Sequence, residues 1–205
     1  NNLRLIGINQ VQAFKENFLN GIKRFILGGL AKYISKGLAY QLLMMKYKNK
    51  KNYDVAISFM HSKYRSLYGG TNEFVLNKIY ALKKIAFIHG DFLKAQLNTH
   101  YNYRIYKQFD AIASVSQSCK RLFDKTWPDL KNKSFVVENC INTEEIQRKS
   151  AINTITYPIK PVQFVTVARI CKEKGFERAI NILSRLKKMG YDFRWHVIEG
   201  NGKSI

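Results

Sequence analysis

The chain has 205 residues, of which 46% are hydrophobic and 13% aromatic, and this apolar content excludes a disordered protein. Lysine and arginine number 35 against 14 acidic residues, so the formal net charge of +21 indicates an anionic partner. No apolar run reaches the roughly 18 residues that a membrane-spanning helix needs. The three cysteines lack the spacing of a metal site, so we expect reduced thiols and no metal.

The basic excess is greatest at the N-terminal end. Residues 1–52 contain ten lysines and arginines but a single acidic residue, Glu16. Phosphorylated small molecules, anionic lipid headgroups and nucleic acid are candidate partners for such a surface. A solvated basic face without a partner is the alternative.

Two helical stretches are predicted before residue 50. Apolar residues recur at intervals of three and four over residues 11–25, which predicts an amphipathic helix. Gly28 and Gly29 interrupt this pattern, and a second helical stretch follows over residues 30–45. A polar, lysine-rich loop should come next.

The middle of the chain predicts alternating strands and helices. Strand-length apolar runs occupy residues 54–59, 84–88, 111–115 and 134–137, with helical stretches at 71–82, 101–108 and 117–125 between them. The runs are nearly continuously hydrophobic, as expected for parallel strands that are covered on both faces. The pattern therefore predicts one half of a doubly wound α/β domain.

A second βαβ unit follows a change of character near residues 142–160. We place one domain at residues 1–157 and the start of another at residues 158–205. Within the second, we predict a strand at 162–167, a helix at 176–189 ending at Gly190, and a strand at 193–198.

The loop after the first strand of this second unit predicts a phosphate site. It carries Arg169, Lys172 and Lys174, and a helix begins after Gly175. Helix N-termini at the carboxyl ends of parallel strands bind anions, and Arg169 and Lys174 would add charge-assisted hydrogen bonds to a diphosphate. The alternative is an ordinary basic loop in an already basic protein.

Several segments together resemble family-4 glycosyltransferases, the retaining, GT-B type enzymes of bacterial surface-polysaccharide biosynthesis. Val167-Ala-Arg169 followed by Glu173-Lys-Gly-Phe176 is similar to a motif of that family. The other similar segments, in the family's order, are Tyr53-Asp-Val-Ala-Ile-Ser-Phe59, Phe87-Ile-His-Gly-Asp-Phe92, Asp110-Ala-Ile-Ala-Ser-Val-Ser116 and Val137-Glu-Asn-Cys-Ile-Asn142. The resemblance runs from about residue 50 to the end.

The resemblance implies a fold of two Rossmann-like, doubly wound domains facing a cleft. It also implies a partial chain, because the glycine-rich first strand-loop of the N-terminal domain and the downstream pair of glutamates are not found. The N-terminal domain would then lack its start and the C-terminal domain would be truncated. Whether such a fragment is active stays open.

The resemblance also assigns roles to particular residues. Arg169 and Lys174 match the pair that grips the donor diphosphate, and His89 matches a catalytic loop residue that faces the reacting sugar. The further cleft candidates are Gly90, Asp91, Ser116, Asn139, Gly200 and Gly202. Glu199 departs from the glycine usual at its position, and Lys203 departs from the usual proline.

The function implied is transfer of a sugar, with retention, from a nucleotide-diphosphate sugar to a glycan or polyprenyl-linked acceptor. No cofactor or metal is expected. We expect a cytoplasmic enzyme held peripherally at the inner face of the cell membrane, with its basic N-terminal helices on the anionic membrane surface. One alternative is a non-catalytic Rossmann-type nucleotide-binding fragment. The other is a basic nucleic-acid-binding protein, although no nucleic acid is expected because stacking and zinc motifs are missing from the sequence.

Overall fold

The computed structural model describes residues 8–60, 67, 69–152, 156 and 158–199. The chain divides into two compact units, Asn1–Cys140 and Ile141–Ile205. Within the described ranges, no helix has both the length and the apolar character needed to cross a membrane.

The N-terminal region is helical, but the predicted single helix over residues 11–25 is wrong. Its elements are α1 (Gln10–Glu16), α2 (Phe18–Gly29), a π-helical segment (Leu30–Ile34) and α3 (Lys36–Met44). Asn17 has an extended backbone, and its side-chain oxygen accepts a hydrogen bond from the Leu19 N–H, so it ends α1 and caps α2. Ser35 caps α3 in the same way through the Leu38 N–H.

A four-stranded parallel sheet forms the centre of the first unit, which confirms the predicted β-α-β-α-β pattern. Its strands, in the order β1-β2-β3-β4, are β1 (Asn52–Ser58), β2 (Tyr80–Ile88), β3 (Ala111–Ser114) and β4 (Ser134–Val136). The intervening helices are α4 (Thr71–Lys78), α5 (His100–Lys107) and α6 (Gln117–Thr126), with a 3₁₀ helix at Pro128–Lys133. The predicted helix over residues 71–82 ends early because β2 begins at Tyr80.

The core of this unit lies on one face of the sheet. Consecutive strands that are neighbours and joined by right-handed crossovers place their helices on the same side. The strand residues Ala56, Ala86, Ile88 and Ile112 are buried there. They pack with an aromatic cluster made of Phe92, Tyr106, Phe123 and Trp127.

The opposite face of β1 is open among the described residues. Val55 and Ile57 are 49% and 53% exposed, and Phe59, just beyond the strand, is 56% exposed. The expectation that the strands are covered on both faces is therefore not met within the described part of the chain. The doubly wound arrangement stays a prediction.

The second unit contains a two-stranded parallel sheet. Its elements are α7 (Thr143–Ile152), β5 (Val162–Val167), a 3₁₀ turn (Lys172–Lys174), α8 (Phe176–Lys188) and β6 (Phe193–Ile198). Both predicted strands are confirmed with their bounds. Gly190 follows α8 with φ of 88°, which glycine adopts at little cost.

Candidate functional site

Arg169 and Lys174 both lie in the loop that joins β5 to α8, and both side chains are exposed. The loop closes with a 3₁₀ turn in which the Gly175 N–H donates to the Lys172 carbonyl. Gly175 then adopts a left-handed conformation with φ of 69°, and a Cβ there would meet the Arg178 guanidinium at 2.9 Å. Glycine is therefore favoured at the point where the loop turns into the helix.

The N-terminus of α8 offers backbone donors beside these cations. The first hydrogen bond of the helix runs from the Ala179 N–H to the Gly175 carbonyl, so the N–H groups of residues 176–178 come before it. Gly175 has no side chain with which to cap them. These donors and the positive end of the helix dipole favour an anion at this position.

Glu199 has a structural role that the sequence did not reveal. Its Oε1 accepts a hydrogen bond from the Ile170 N–H at 2.9 Å, and the Ala168 N–H donates to the Ile198 carbonyl at 3.1 Å. The carboxyl end of β6 thereby holds the loop that carries Arg169. The same carboxylate is an anion close to the predicted phosphate site, so it offsets part of the positive charge there.

Aromatic packing fixes the start of α8 against the two-stranded sheet. The Phe176 ring stacks on the Trp195 ring with centroids 6.0 Å apart and planes 26° apart. The Trp195 Nε1–H in turn donates to the Thr166 hydroxyl on β5. The loop between β5 and α8 therefore begins and ends on anchored elements.

His89 follows β2 on the open side of the first unit's sheet, between two phenylalanine rings. Its ring centroid lies 4.2 Å from that of Phe59 and 5.7 Å from that of Phe87. The Nε2 atom is buried and finds no hydrogen-bond partner among the described residues. A buried, unsatisfied ring nitrogen at the carboxyl end of a strand is uncommon in a purely structural histidine.

The loop residues that follow His89 have simpler surroundings. A Cβ added at Gly90 would meet nothing within 4 Å in the described structure, so no steric contact there requires glycine. Asp91 caps the next turn, because its Oδ1 accepts hydrogen bonds from the Leu93 and Lys94 N–H groups, both at 3.0 Å. This carboxylate is thus already used by the backbone.

The remaining predicted cleft residues are distributed as follows. Ser116 caps α6, with its hydroxyl accepting from the Cys119 N–H at 3.2 Å, and Asn139 is exposed after β4. The first unit thus contains His89, Gly90, Asp91, Ser116 and Asn139, and the second contains Arg169 and Lys174. Gly200 and Gly202 lie outside the described residues.

Buried polar side chains at the ends of β1 and β3 were missed by the sequence reasoning. The Ser58 hydroxyl donates to Asn72 Oδ1 at 2.6 Å and lies 3.0 Å from the Thr71 hydroxyl. The Ser114 hydroxyl is fully buried and has no partner among the described residues. Both serines are the last residues of their strands, and that position was the one available signal.

A cluster of ionisable side chains lies where α3, α4 and α5 meet. Glu73 is 3% exposed, and its Oε1 accepts a hydrogen bond from the Tyr101 hydroxyl at 2.8 Å. Burial raises the pKa of Glu73, while the hydrogen bond from Tyr101 and the charge of Lys36 lower it in part. Its other oxygen is buried with no partner in the described part of the chain.

Lys36 and Tyr101 show the same desolvation. Burial lowers the pKa of the Lys36 ammonium to about 8, and the Glu73 charge opposes that fall. Burial and the neighbouring Glu73 raise the pKa of Tyr101. Lys36, Tyr101 and Arg104 line a cavity of about 290 Å³ beside the buried carboxyl. Desolvated groups of both signs around one cavity are more typical of a functional surface than of a core.

No cluster of three or more histidine, cysteine or acidic side chains that could hold a metal ion occurs in the described ranges. Comparison with known proteins gives no family: no family model matches the chain, and neither does any curated protein.

Proposed function

We propose that this chain is part of a sugar-nucleotide-dependent glycosyltransferase. The observation that carries the proposal is the loop between β5 and α8, where Arg169, Lys174 and the uncapped N–H groups of α8 belong to one short segment. A diphosphate is the anion that best uses two cations and a helix N-terminus together. In this proposal the two units are parts of two Rossmann-like, doubly wound domains of the GT-B type.

The chemistry of the proposed site is stabilisation of a leaving group. When the bond between the sugar and the β-phosphate breaks, negative charge grows on the diphosphate oxygens. Arg169, Lys174 and the α8 N–H groups would neutralise that charge without rearranging, and such preorganised stabilisation often dominates the lowering of a barrier. Retention at the anomeric carbon follows from the family resemblance and not from the geometry of these residues.

His89 is the candidate for contact with the sugar. It lies at the carboxyl end of β2, where ligands of parallel α/β sheets bind, and its buried Nε2 lacks a partner among the described residues. Phe59 and Phe87 hold the ring by its faces and edges, which leaves the nitrogens to make polar contacts. The acceptor would be a glycan or a polyprenyl-linked sugar of a surface polysaccharide.

Calorimetric titration with UDP, and with GDP for comparison, tests the diphosphate site. Arg169→Ala/Lys174→Ala should weaken nucleotide binding at least about tenfold, because two charge-assisted contacts are lost. Arg185→Ala/Lys188→Ala removes two cations from the last turn of the same helix and should bind as the wild type does. Equal binding by both double variants would contradict the proposal.

His89→Ala separates sugar transfer from nucleotide binding. We expect UDP affinity to stay as in the wild type and release of UDP from a sugar donor to fall about 10- to 100-fold. A chain that binds UDP but releases none from any donor tried would be a non-catalytic nucleotide-binding protein. Binding of single-stranded nucleic acid in preference to UDP would favour the third reading.

A further inference from the structure

Helix α2 presents an apolar stripe to solvent. At 3.6 residues per turn, its large apolar side chains fall within one arc of roughly 120°. Their exposed fractions are 69% for Phe18, 63% for Leu19, 37% for Ile22, 71% for Phe25 and 61% for Ile26. A soluble protein rarely leaves so continuous an apolar face without a use for it.

The other side of α2 is already packed, so the stripe is not waiting for the neighbouring helices. Gly21 is buried against the Phe14 ring of α1, and Leu27 packs against the core that α1 and α3 share with the π-helical segment. The Arg24 Nε–H also donates to the Ile8 carbonyl at 2.9 Å. These contacts fix the rotation of α2 about its axis.

The stripe continues beyond the end of α2. Tyr33 and Ile34, in the π-helical segment that follows, are 75% and 78% exposed. The continuous apolar face therefore includes Phe18, Leu19, Ile22, Phe25, Ile26, Tyr33 and Ile34, which we call the α2 face.

Lysines border the α2 face on both sides. By the same helical geometry, Lys23 lies beside Leu19 at one edge, and Lys32 lies beyond Phe25 at the other. Lys32 Nζ also sits 4.8 Å from the centroid of the exposed Tyr33 ring. Residues 8–52 carry nine lysines and arginines and one acidic residue, a net charge of +8.

An apolar strip between two rows of cations fits an anionic lipid surface. Phenylalanine, leucine and isoleucine side chains partition into the boundary between headgroups and acyl chains, and lysines reach the lipid phosphates. A protein partner would more often require the edges of the strip to carry polar residues of both signs. The charge of the surroundings therefore selects the bilayer.

We propose that the α2 face is a membrane-docking surface, on which α2 and the π-helical segment lie in the plane of an anionic bilayer. Phe18, Ile22 and Phe25 would enter the acyl boundary, and Lys23 and Lys32 would contact headgroup phosphates. This inference does not rest on the proposed transferase function, since docking requires neither the nucleotide site nor His89.

Vesicle co-sedimentation tests the apolar part of the surface. The wild-type chain should bind vesicles of phosphatidylcholine and phosphatidylglycerol, and Phe25→Glu/Ile26→Glu should bind at least about tenfold more weakly. The control is Leu82→Glu, which places a carboxylate on an apolar residue of β2 that is 79% exposed. It should bind as the wild type does, and circular dichroism checks that all the variants are folded.

The charged part is tested with Lys23→Gln/Lys32→Gln. This variant should lose about tenfold or more in binding to the anionic vesicles, and the loss should shrink as salt is raised. Vesicles of phosphatidylcholine alone should bind the wild type weakly and should not distinguish it from this variant.

Three results would overturn the inference. The first is failure of the folded wild-type chain to bind anionic vesicles. The second is equal vesicle binding by the wild type and Phe25→Glu/Ile26→Glu. The third is a dimer in sedimentation equilibrium that this double variant dissociates while vesicles bind neither form, which would assign the α2 face to a second copy of the chain.

Discussion

The two units differ sharply in how far their side chains are buried. In the first unit Ile88, Phe92 and Phe123 are completely buried, whereas no described residue of the second unit is buried and Val167 of β5 is 73% exposed. The ionisable groups differ in the same way, because Glu73 is desolvated while Arg169 and Lys174 stand in solvent. The first unit should therefore carry the stability of the chain, and the second should tolerate changes at its binding loop.

The largest expected effect is the loss of a core aromatic side chain. Phe92→Ala should lower the free energy of unfolding of the first unit by about 3–5 kcal/mol, because Phe92 is fully buried among Tyr106, Phe123 and Trp127. Phe164→Ala in β5 should cost only about 1 kcal/mol, since that ring is already 41% exposed.

Urea unfolding followed by tryptophan fluorescence can separate the units, because Trp127 lies in the first and Trp195 in the second. A Trp195→Phe background reports on the first unit and a Trp127→Phe background on the second. Equal losses of stability for the two phenylalanine substitutions would remove the contrast.

A pH dependence of the first unit should follow from Lys36. Below its native pKa of about 8 the lysine is protonated in both states, and the cost of burying its charge is fully present. Between about 8 and 10.5 the native state gives up the proton while the unfolded state keeps it. The free energy of unfolding should therefore rise over this range by up to about 3 kcal/mol.

The variant Lys36→Met should flatten that rise, and Lys46→Met, at an exposed lysine, should leave it as in the wild type. The measurement is denaturant unfolding at several pH values between 7 and 10. Above 10, ionisation of Tyr101 in the unfolded state works in the opposite direction, because its native pKa is raised. A stability that falls from pH 8 to 10 in the wild type would contradict the desolvated lysine.

Ion pairs offer a smaller comparison between the units. Asp124 pairs with Lys120 within α6, where both side chains are less than a quarter exposed, and Glu145 pairs with Arg148 and Lys149 on the exposed surface of α7. Asp124→Asn should cost about 1 kcal/mol and Glu145→Gln less than about 0.5 kcal/mol. Thermal unfolding in low and high salt checks this, and a larger loss for Glu145→Gln would reverse the comparison.

The smallest expected effect on stability is at the diphosphate loop. Arg169→Ala/Lys174→Ala should change the free energy of unfolding by less than about 0.5 kcal/mol, because both side chains are exposed. The same variant is expected to lose nucleotide binding. A large destabilisation would mean that these cations hold the loop together and that their effect on binding is indirect.

The sequence predicted what local patterns determine. The bounds of β5 and β6 came out correctly because each is an apolar run bracketed by proline, glycine or polar residues. The break at Asn17 was missed because the apolar periodicity continues straight through the cap, and capping depends on one side-chain hydrogen bond.

The candidate site was predicted only where its residues are neighbours in the chain. Arg169 and Lys174 share a loop, so their association could be inferred. Glu199 reaches Ile170 across 29 positions, and Glu73 meets Tyr101 across 28, and no periodicity encodes such contacts. The open face of β1 was missed because a continuous apolar run looks the same whether or not its second face is covered.

The most direct test of the diphosphate site is a titration of the ¹⁵N-labelled chain with UDP, followed by two-dimensional amide NMR. The account predicts that the largest shifts fall on the amides of residues 169–178, above all on the uncapped first turn of α8, and that UMP produces smaller shifts at the same positions. Shifts of equal size with UMP, or shifts concentrated outside this loop, would contradict the assignment of Arg169, Lys174 and the α8 N-terminus as the diphosphate site.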